Sequence, residues 1–265
     1  MKVLIFIFFI FSLSYSKVYY SKVEPYEIRE VSSNVSGVVL FTDENFIGKK
    51  LSNKPYILID AKLDKQELKF IKEKLIYLEN IIATNEDVLK NQKSALVKKR
   101  KNYKRIESLK IKSVVEKDRE FYDLINSENQ FLNTQKEIQN LKVQITDLKL
   151  RKAKLRRSID DKVLSDKGFV LYAIMVKPGK VVGISTPLAK IADVSKAILT
   201  IYLDEDDIKD ARKKVLYIDG KKTSYKISRF LNIADAKNIS KYMAQIIIKS
   251  PKLFSKLVKI ELKDE

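Results

Sequence analysis

The sequence predicts an α+β protein in which a long antiparallel α-helical hairpin is inserted between the two halves of a small split β-sandwich and is followed by a small β-barrel. Three observations predict it. From Lys62 the chain runs for about a hundred residues without Gly or Pro, while apolar residues recur every seven. The segments on either side of that stretch resemble each other. The remainder, from about Val194, alternates in short apolar runs separated by turn residues.

The N-terminal segment 1–16 is of another kind. Lys2 is a charged start, Val3 to Phe11 an apolar run, and Ser14 and Ser16 are small residues where a signal peptidase reads, so an export signal cleaved after Ser16 is expected. The run is short of the about 20 residues that a spanning helix needs, and an uncleaved anchor is the competing reading. With no Cys in the chain, no lipid-modified cysteine can form at the new N-terminus.

The helical hairpin follows from its heptads. Leu68, Leu75, Ile82, Leu89, Leu96 and Tyr103 form one sevenfold series, and Ile71, Leu78, Asn85, Gln92, Lys99 and Ile106 its companion. A strict repeat of seven keeps one narrow stripe facing a partner helix. A second seam runs through Leu124, Phe131, Ile138, Ile145 and Ile159, interrupted by Lys152, with Leu141, Leu148 and Leu155 beside it. Between the seams, Ser113 and Glu116 fit a capping box and place a new helix start. The arms, Lys62 to Leu109 and Val114 to about Val163, are each about 70 Å long at roughly 1.5 Å per residue. Equal arms favour a hairpin over one uninterrupted rod pairing in a dimer, a reading that the lack of Gly or Pro in the turn leaves open.

The flanks form a repeat. Gly37-Val38-Val39-Leu40-Phe41 is followed by Gly48-Lys49, and Gly168-Phe169-Val170-Leu171-Tyr172 by Gly179-Lys180, with the second Gly eleven residues after the first in both. Such a unit reads as a strand, a reversal and a returning strand, with glycines where positive φ or close approach is needed. Two halves of this kind complete one sandwich when the hairpin between them brings its ends together. Beyond it, Ile198 to Leu203, Val215 to Ile218, Thr223 to Ile227, Tyr242 to Ile248 and Leu257 to Leu262 read as strands. A short acidic-started helix is expected from Asp204 to about Lys214, and Asp219-Gly220 as a tight turn.

Composition excludes several functions. The chain has no Cys, His or Trp, which removes disulfides, thiol nucleophiles, the commonest metal ligands and His-based catalytic pairs. Its formal charge of +19 invites nucleic acid as a partner. Export argues against that, and lysines decorating solvated helices explain most of the excess, with attraction to the anionic inner-membrane surface as a further role.

The order of signal, half sandwich, hairpin, second half and barrel resembles the membrane fusion proteins, or HlyD-like periplasmic adaptors, in a short form. The resemblance is carried by Val35-Ser36-Gly37-Val38-Val39 with Gly48-Lys49, and by Val176-Lys177-Pro178-Gly179-Lys180-Val181-Val182 through Ile191-Ala192-Asp193. It implies that these are the halves of a lipoyl-like domain, with Gly37, Gly48, Gly168 and Gly179 at its turns. The division implied is 1–16 signal; 17–61 N-terminal strand segment and first lipoyl-like half; 62–163 hairpin with its tip near 109–116; 164–193 second half; 194–265 barrel.

The same resemblance implies a non-enzymatic periplasmic protein, associated with the inner membrane and without metal or cofactor. Its partners are an inner-membrane transporter, with a proton-driven RND type favoured over an ABC type, and a TolC-like outer-membrane channel; copies of the chain form a ring, typically of six. In adaptors that use such a channel, the tip carries an Arg, a Leu four residues on and a Ser seven further. Arg105 and Leu109 match; the third position is Glu116, with Ser113 nearby as cap. The resemblance implies that the tip residues Arg105, Leu109, Ser113 and Glu116 meet the channel, with Arg105 and Leu109 in its interhelical grooves. A solvated Arg105 and a Leu109 that merely ends the seam are the alternatives. A lipoyl-type carrier domain and a structural coiled coil that tethers envelope layers are the rival functions.

Overall fold

The structure, a computed structural model, describes residues 17–234 and 241–264. The expected export signal, 1–16, lies outside the described residues. Before the hairpin come β1 (Val18–Lys22), β2 (Glu24–Ser32), β3 (Gly37–Thr42) and β4 (Ile57–Ile59). The hairpin is α1 (Lys62–Glu107) and α2 (Val114–Asp161). Behind it follow β5 (Val163–Leu164), β6 (Val170–Ile174), β7 (Val181–Val182) and β8 (Pro187–Leu203), then α3 (Glu205–Ala211) and β9 (Val215–Ile218). The chain ends with β10 (Lys221–Lys222), β11 (Arg229–Ala234), β12 (Tyr242–Lys249) and β13 (Leu257–Lys263). Among the described residues no helix is long and apolar enough to cross a membrane.

The two long helices run antiparallel because their apolar stripes have no other partner. Near the base, Ile71, Leu75 and Leu78 of α1 pack with Leu141 and Ile145 of α2, flanked by Ile82, Leu148 and Leu155. Farther out, Asn85, Gln92 and Lys99 stand in the stripe and are half-buried, and among the described residues only Leu96, Leu124 and Ile138 are buried there. Cross-helix ion pairs follow the seam: Glu86 with Lys142 at 3.4 Å, Arg100 with Glu128 at 2.7 Å and Lys99 with Asp123 at 2.7 Å. Exposed pairs of this kind contribute about 0–1 kcal/mol each. The apolar base therefore carries more of the hairpin's cohesion than the distal part does.

The strands bracketing the hairpin share one sheet, in the order β5-β4-β3-β7, and one core that includes Val39, Tyr56, Ile57, Leu171, Val182 and Leu188. The two halves hold each other through matched hydrogen bonds. Gly48 N–H donates to the Leu171 carbonyl at 2.8 Å and Leu171 N–H to that of Lys49 at 3.2 Å. Gly179 N–H donates to the Val39 carbonyl at 2.8 Å and Val39 N–H to that of Lys180 at 2.9 Å. Each half's glycine turn thus pairs with the strand of the other half.

Gly48 and Gly179 adopt φ of 78° and 88° in those turns, a region that a side chain disfavours, and Gly168 is likewise left-handed. Gly37 is needed for space instead. A Cβ there would lie 2.7 Å from Ile59 Cγ2.

The C-terminal β-unit has a second core. The sheet β1-β13-β9-β10 faces the sheet β11-β12-β8-β2 across Val23, Leu199, Ile201, Leu216, Ile246 and Ile260. Ser21 Oγ accepts a hydrogen bond from Thr200 N–H at 2.8 Å and ties the two sheets at one edge.

Three expectations are corrected. The segments Leu188–Asp193 and Ile198–Leu203, expected as separate strands, belong to one strand, β8, which pairs with β2 from Pro187 to Ile198 and with β6 and β12 in turn. Thr223–Ile227 is not a strand: β10 ends at Lys222, Thr223 turns its N–H and hydroxyl to the Leu216 carbonyl, and Tyr225 and Ile227 pack on the core. The helix expected to reach about Lys214 stops at Ala211. β1, before the first sandwich half in sequence, is built into the C-terminal unit through antiparallel pairing with β13.

Candidate docking site at the hairpin tip

The tip forms where two helix ends meet without a glycine. α1 stops at Glu107, and its last carbonyls are satisfied locally: Ser108 Oγ donates to the Arg105 carbonyl at 2.8 Å, and Leu109 N–H to that of Ile106 at 3.1 Å. Six residues after Glu107, Ser113 adopts an extended conformation and accepts from Glu116 N–H at 3.3 Å, while Glu116 accepts from Ser113 N–H at 3.0 Å. This capping box starts α2. Below it, the Tyr103 and Phe121 rings, 5.7 Å apart and tilted, close the end of the seam.

Glu116 also accepts from Lys112 Nζ at 2.9 Å. The bonds from Lys112 and Ser113 hold its carboxyl well below the usual range, at about 2. Both of its oxygens are therefore engaged in shaping the turn. Ser113 is occupied in the same way.

Arg105 and Leu109 are placed differently. Arg105 is exposed, and among the described residues no carboxylate lies within ion-pair distance of it. Leu109 is 40% exposed at the edge of the turn. Beside them stand three side chains that the heptad and motif reasoning missed: Ile111, 90% exposed, with Val114 at 73% and Val115 at 77%. The signal was present as apolar residues in a turn, off the stripe, where burial in the hairpin cannot explain them. Fully covering an aliphatic side chain contributes about 1.5–3 kcal/mol, whereas an exposed ion pair contributes about 0–1 kcal/mol. The apolar cluster thus has more binding free energy to offer than Arg105, whose directional donors set orientation.

The residue set Gly37, Gly48, Gly168 and Gly179 lies in the other module, at the base of the hairpin, and makes no part of the tip. The recess between the helices just below the tip, bordered by Ile106, Lys112, Glu116, Arg119 and Asp123, is open and mostly polar. Among the described residues no group of three His, Cys, Asp or Glu side chains stands close enough to hold a metal ion.

In sequence, the chain matches no known protein-family profile and no curated protein. Its fold has clear counterparts among solved structures. The membrane fusion protein Spr0693 from Streptococcus pneumoniae R6 superposes with a TM-score of 0.65 at 12% identity, over 94% of this chain and 100% of that one. MacA from Actinobacillus actinomycetemcomitans gives 0.63 at 18% identity, over 94% of this chain and 78% of that one. A MacA–MexA chimera carrying the Pseudomonas aeruginosa MexA α-hairpin domain gives 0.53 at 15% identity, over 94% and 81%.

Proposed function

We propose that this chain, which has the fold of the membrane fusion proteins, is the periplasmic adaptor subunit of a tripartite efflux or secretion system. It links an inner-membrane transporter to a TolC-like outer-membrane channel. Glycine turns that pair with the opposite half across the hairpin base support reading the bracketing strands as a split lipoyl-like domain with the hairpin as its insertion. The division into signal, two halves, hairpin and barrel belongs to the same reading, as does a ring of copies, typically six.

One observation carries the proposal. A helical arm about 70 Å long is anchored at one end only and presents exposed Leu109, Ile111, Val114 and Val115 at the other. Apolar side chains held at that distance from the chain's β cores are of use to a partner reached at that distance. On this reading the chain performs no chemistry itself. Energy comes from the transporter, and the adaptor supplies reach, register and coupling between transporter state and channel opening. A proton-driven RND-type transporter is the partner proposed, ahead of an ABC-type one.

Co-purification from the native envelope tests the reading. Capture of both an inner-membrane transporter and an outer-membrane channel is expected, together with loss of resistance or secretion on deletion. Capture of neither, with unchanged sensitivity to every compound class, leaves the tether function in its place.

A further inference from the structure

We propose that the outer face of the sheet β1-β13-β9-β10 is a docking platform for an anionic phospholipid surface. The face is defined by register. Tyr20 pairs with Lys259, Lys22 with Leu257, Glu261 with Tyr217 and Lys222 with Tyr217, and paired residues lie on the same side of a sheet. Their neighbours Tyr19, Val258, Ile260 and Leu216 point the other way, into the core.

The charge on this face is one-sided. Its strands present Lys22, Lys222, Lys259 and Lys263 against one carboxylate, Glu261, which lies buried between Lys259 and Lys263 and bonds both. Lys263 also lies over the Tyr217 ring, 4.7 Å from its centre. The next carboxylate along, Asp219 in the β9–β10 turn, is taken up by Lys256 at 2.7 Å, and Asp207, near the start of β1, by Lys17 at 2.9 Å. Among the described residues no carboxylate pairs with Lys22 or Lys222, which leaves both to a partner.

Apolar groups sit among the lysines. Tyr20 is 65% exposed and Leu257 63%. Lysines on flexible stems around aromatic and aliphatic side chains match a headgroup layer, where ammonium groups meet phosphates and Tyr rings lie at the interface. A protein partner fits less well, because no planar, bidentate guanidinium stands on these strands to fix one geometry.

The inference deepens the proposed function, since it supposes that the protein works against a membrane. Its test contains neither transporter nor channel, so the two can fail separately. The purified chain is sedimented with phosphatidylcholine vesicles, with and without about 30% phosphatidylglycerol. Binding to the anionic vesicles alone is expected. Changing Lys22→Gln with Lys222→Gln weakens it about tenfold, whereas Lys90→Gln with Lys93→Gln, on the exposed hairpin, leaves it unchanged.

The chain has no Trp, so Tyr20→Trp is a clean reporter: its fluorescence shifts to the blue and is quenched by brominated anionic lipid, and that of Tyr77→Trp is not. Equal binding to neutral vesicles, equal loss in both lysine pairs, or an unquenched Trp at position 20 overturns the proposal. So does failure to bind vesicles while an isolated transporter is captured through this face, which makes it a protein dock.

Discussion

Asp64, in the first turn of α1, and Lys162, the residue that ends α2, form an ion pair at 2.8 Å across the base of the hairpin. Lys162 is buried, and Ser158 Oγ adds a second donor to Asp64 at 3.0 Å. The pair brings the entry and exit of the helical arm together, where the two β halves meet. Removing one partner leaves a buried charge alone, so Asp64→Asn is expected to cost about 3 kcal/mol in denaturant unfolding. Replacing both, as Asp64→Leu with Lys162→Met, is expected to cost less than the single change; a larger loss in the double variant contradicts this account.

The same pair makes stability depend on acid. The bond from Lys162, seconded by that from Ser158, holds the Asp64 carboxyl below the usual carboxylate range despite partial burial. Its contribution is present in full above about pH 4, the unfolded value, and is lost as the pH falls through the lower folded value. Melting temperatures from pH 6 to pH 2 are expected to fall more steeply for the native chain than for the Asp64→Leu, Lys162→Met variant.

Glu116 gives a local version at the tip. Its folded value of about 2 lies below that of a free Glu, so the capping box is intact above about pH 4 and opens as the pH approaches 2. Ser113→Ala removes the cap acceptor and is expected to cost about 1 kcal/mol. Amide exchange should quicken in the first turn of α2 and remain unchanged at the base of the hairpin.

Gly37 tests the fit between the β halves and the hairpin. Gly37→Ala sets a methyl group 2.7 Å from Ile59 Cγ2, and overpacking of this kind costs about 1–3 kcal/mol. The double variant Gly37→Ala, Ile59→Leu, which has no γ2 methyl on Cβ, relieves the contact and should recover part of the loss.

Gln92 sits within the heptad stripe, and its Oε1 is buried without a partner among the described residues. Gln92→Leu is expected to stabilise the distal hairpin by about 1 kcal/mol, read as a higher melting temperature. A lower one shows that the polar position is matched by a partner across the seam.

Much of this architecture is written in local patterns. Every heptad position named for α1, from Leu68 to Ile106, is buried or half-buried, because sevenfold spacing has a unique geometric meaning in a helix. The capping box formed at Ser113 and Glu116 for a similar reason, since its donors and acceptors lie three residues apart. What escaped the sequence depends on distant partners. β1 pairs with β13 far along the chain, and no pattern within Val18–Lys22 announces it. β8 reads as two strands because Asp193, Ser195 and Lys196 interrupt its alternation, yet β2 continues alongside and carries it through with a shifted register. At the tip, Ile111, Val114 and Val115 belong to no heptad or motif, unlike Arg105 and Leu109. Only exposure in the folded chain separates a residue that caps a seam from one offered to a partner.

The central claim, that the hairpin tip reaches a channel while the rest of the chain holds a transporter, is tested most directly by capturing partners with the native chain and with a Leu109→Asp, Ile111→Asp variant of unchanged helix content. The account predicts that the native chain captures both partners and the variant keeps the transporter but loses the channel. Equal capture of the channel by the variant contradicts it.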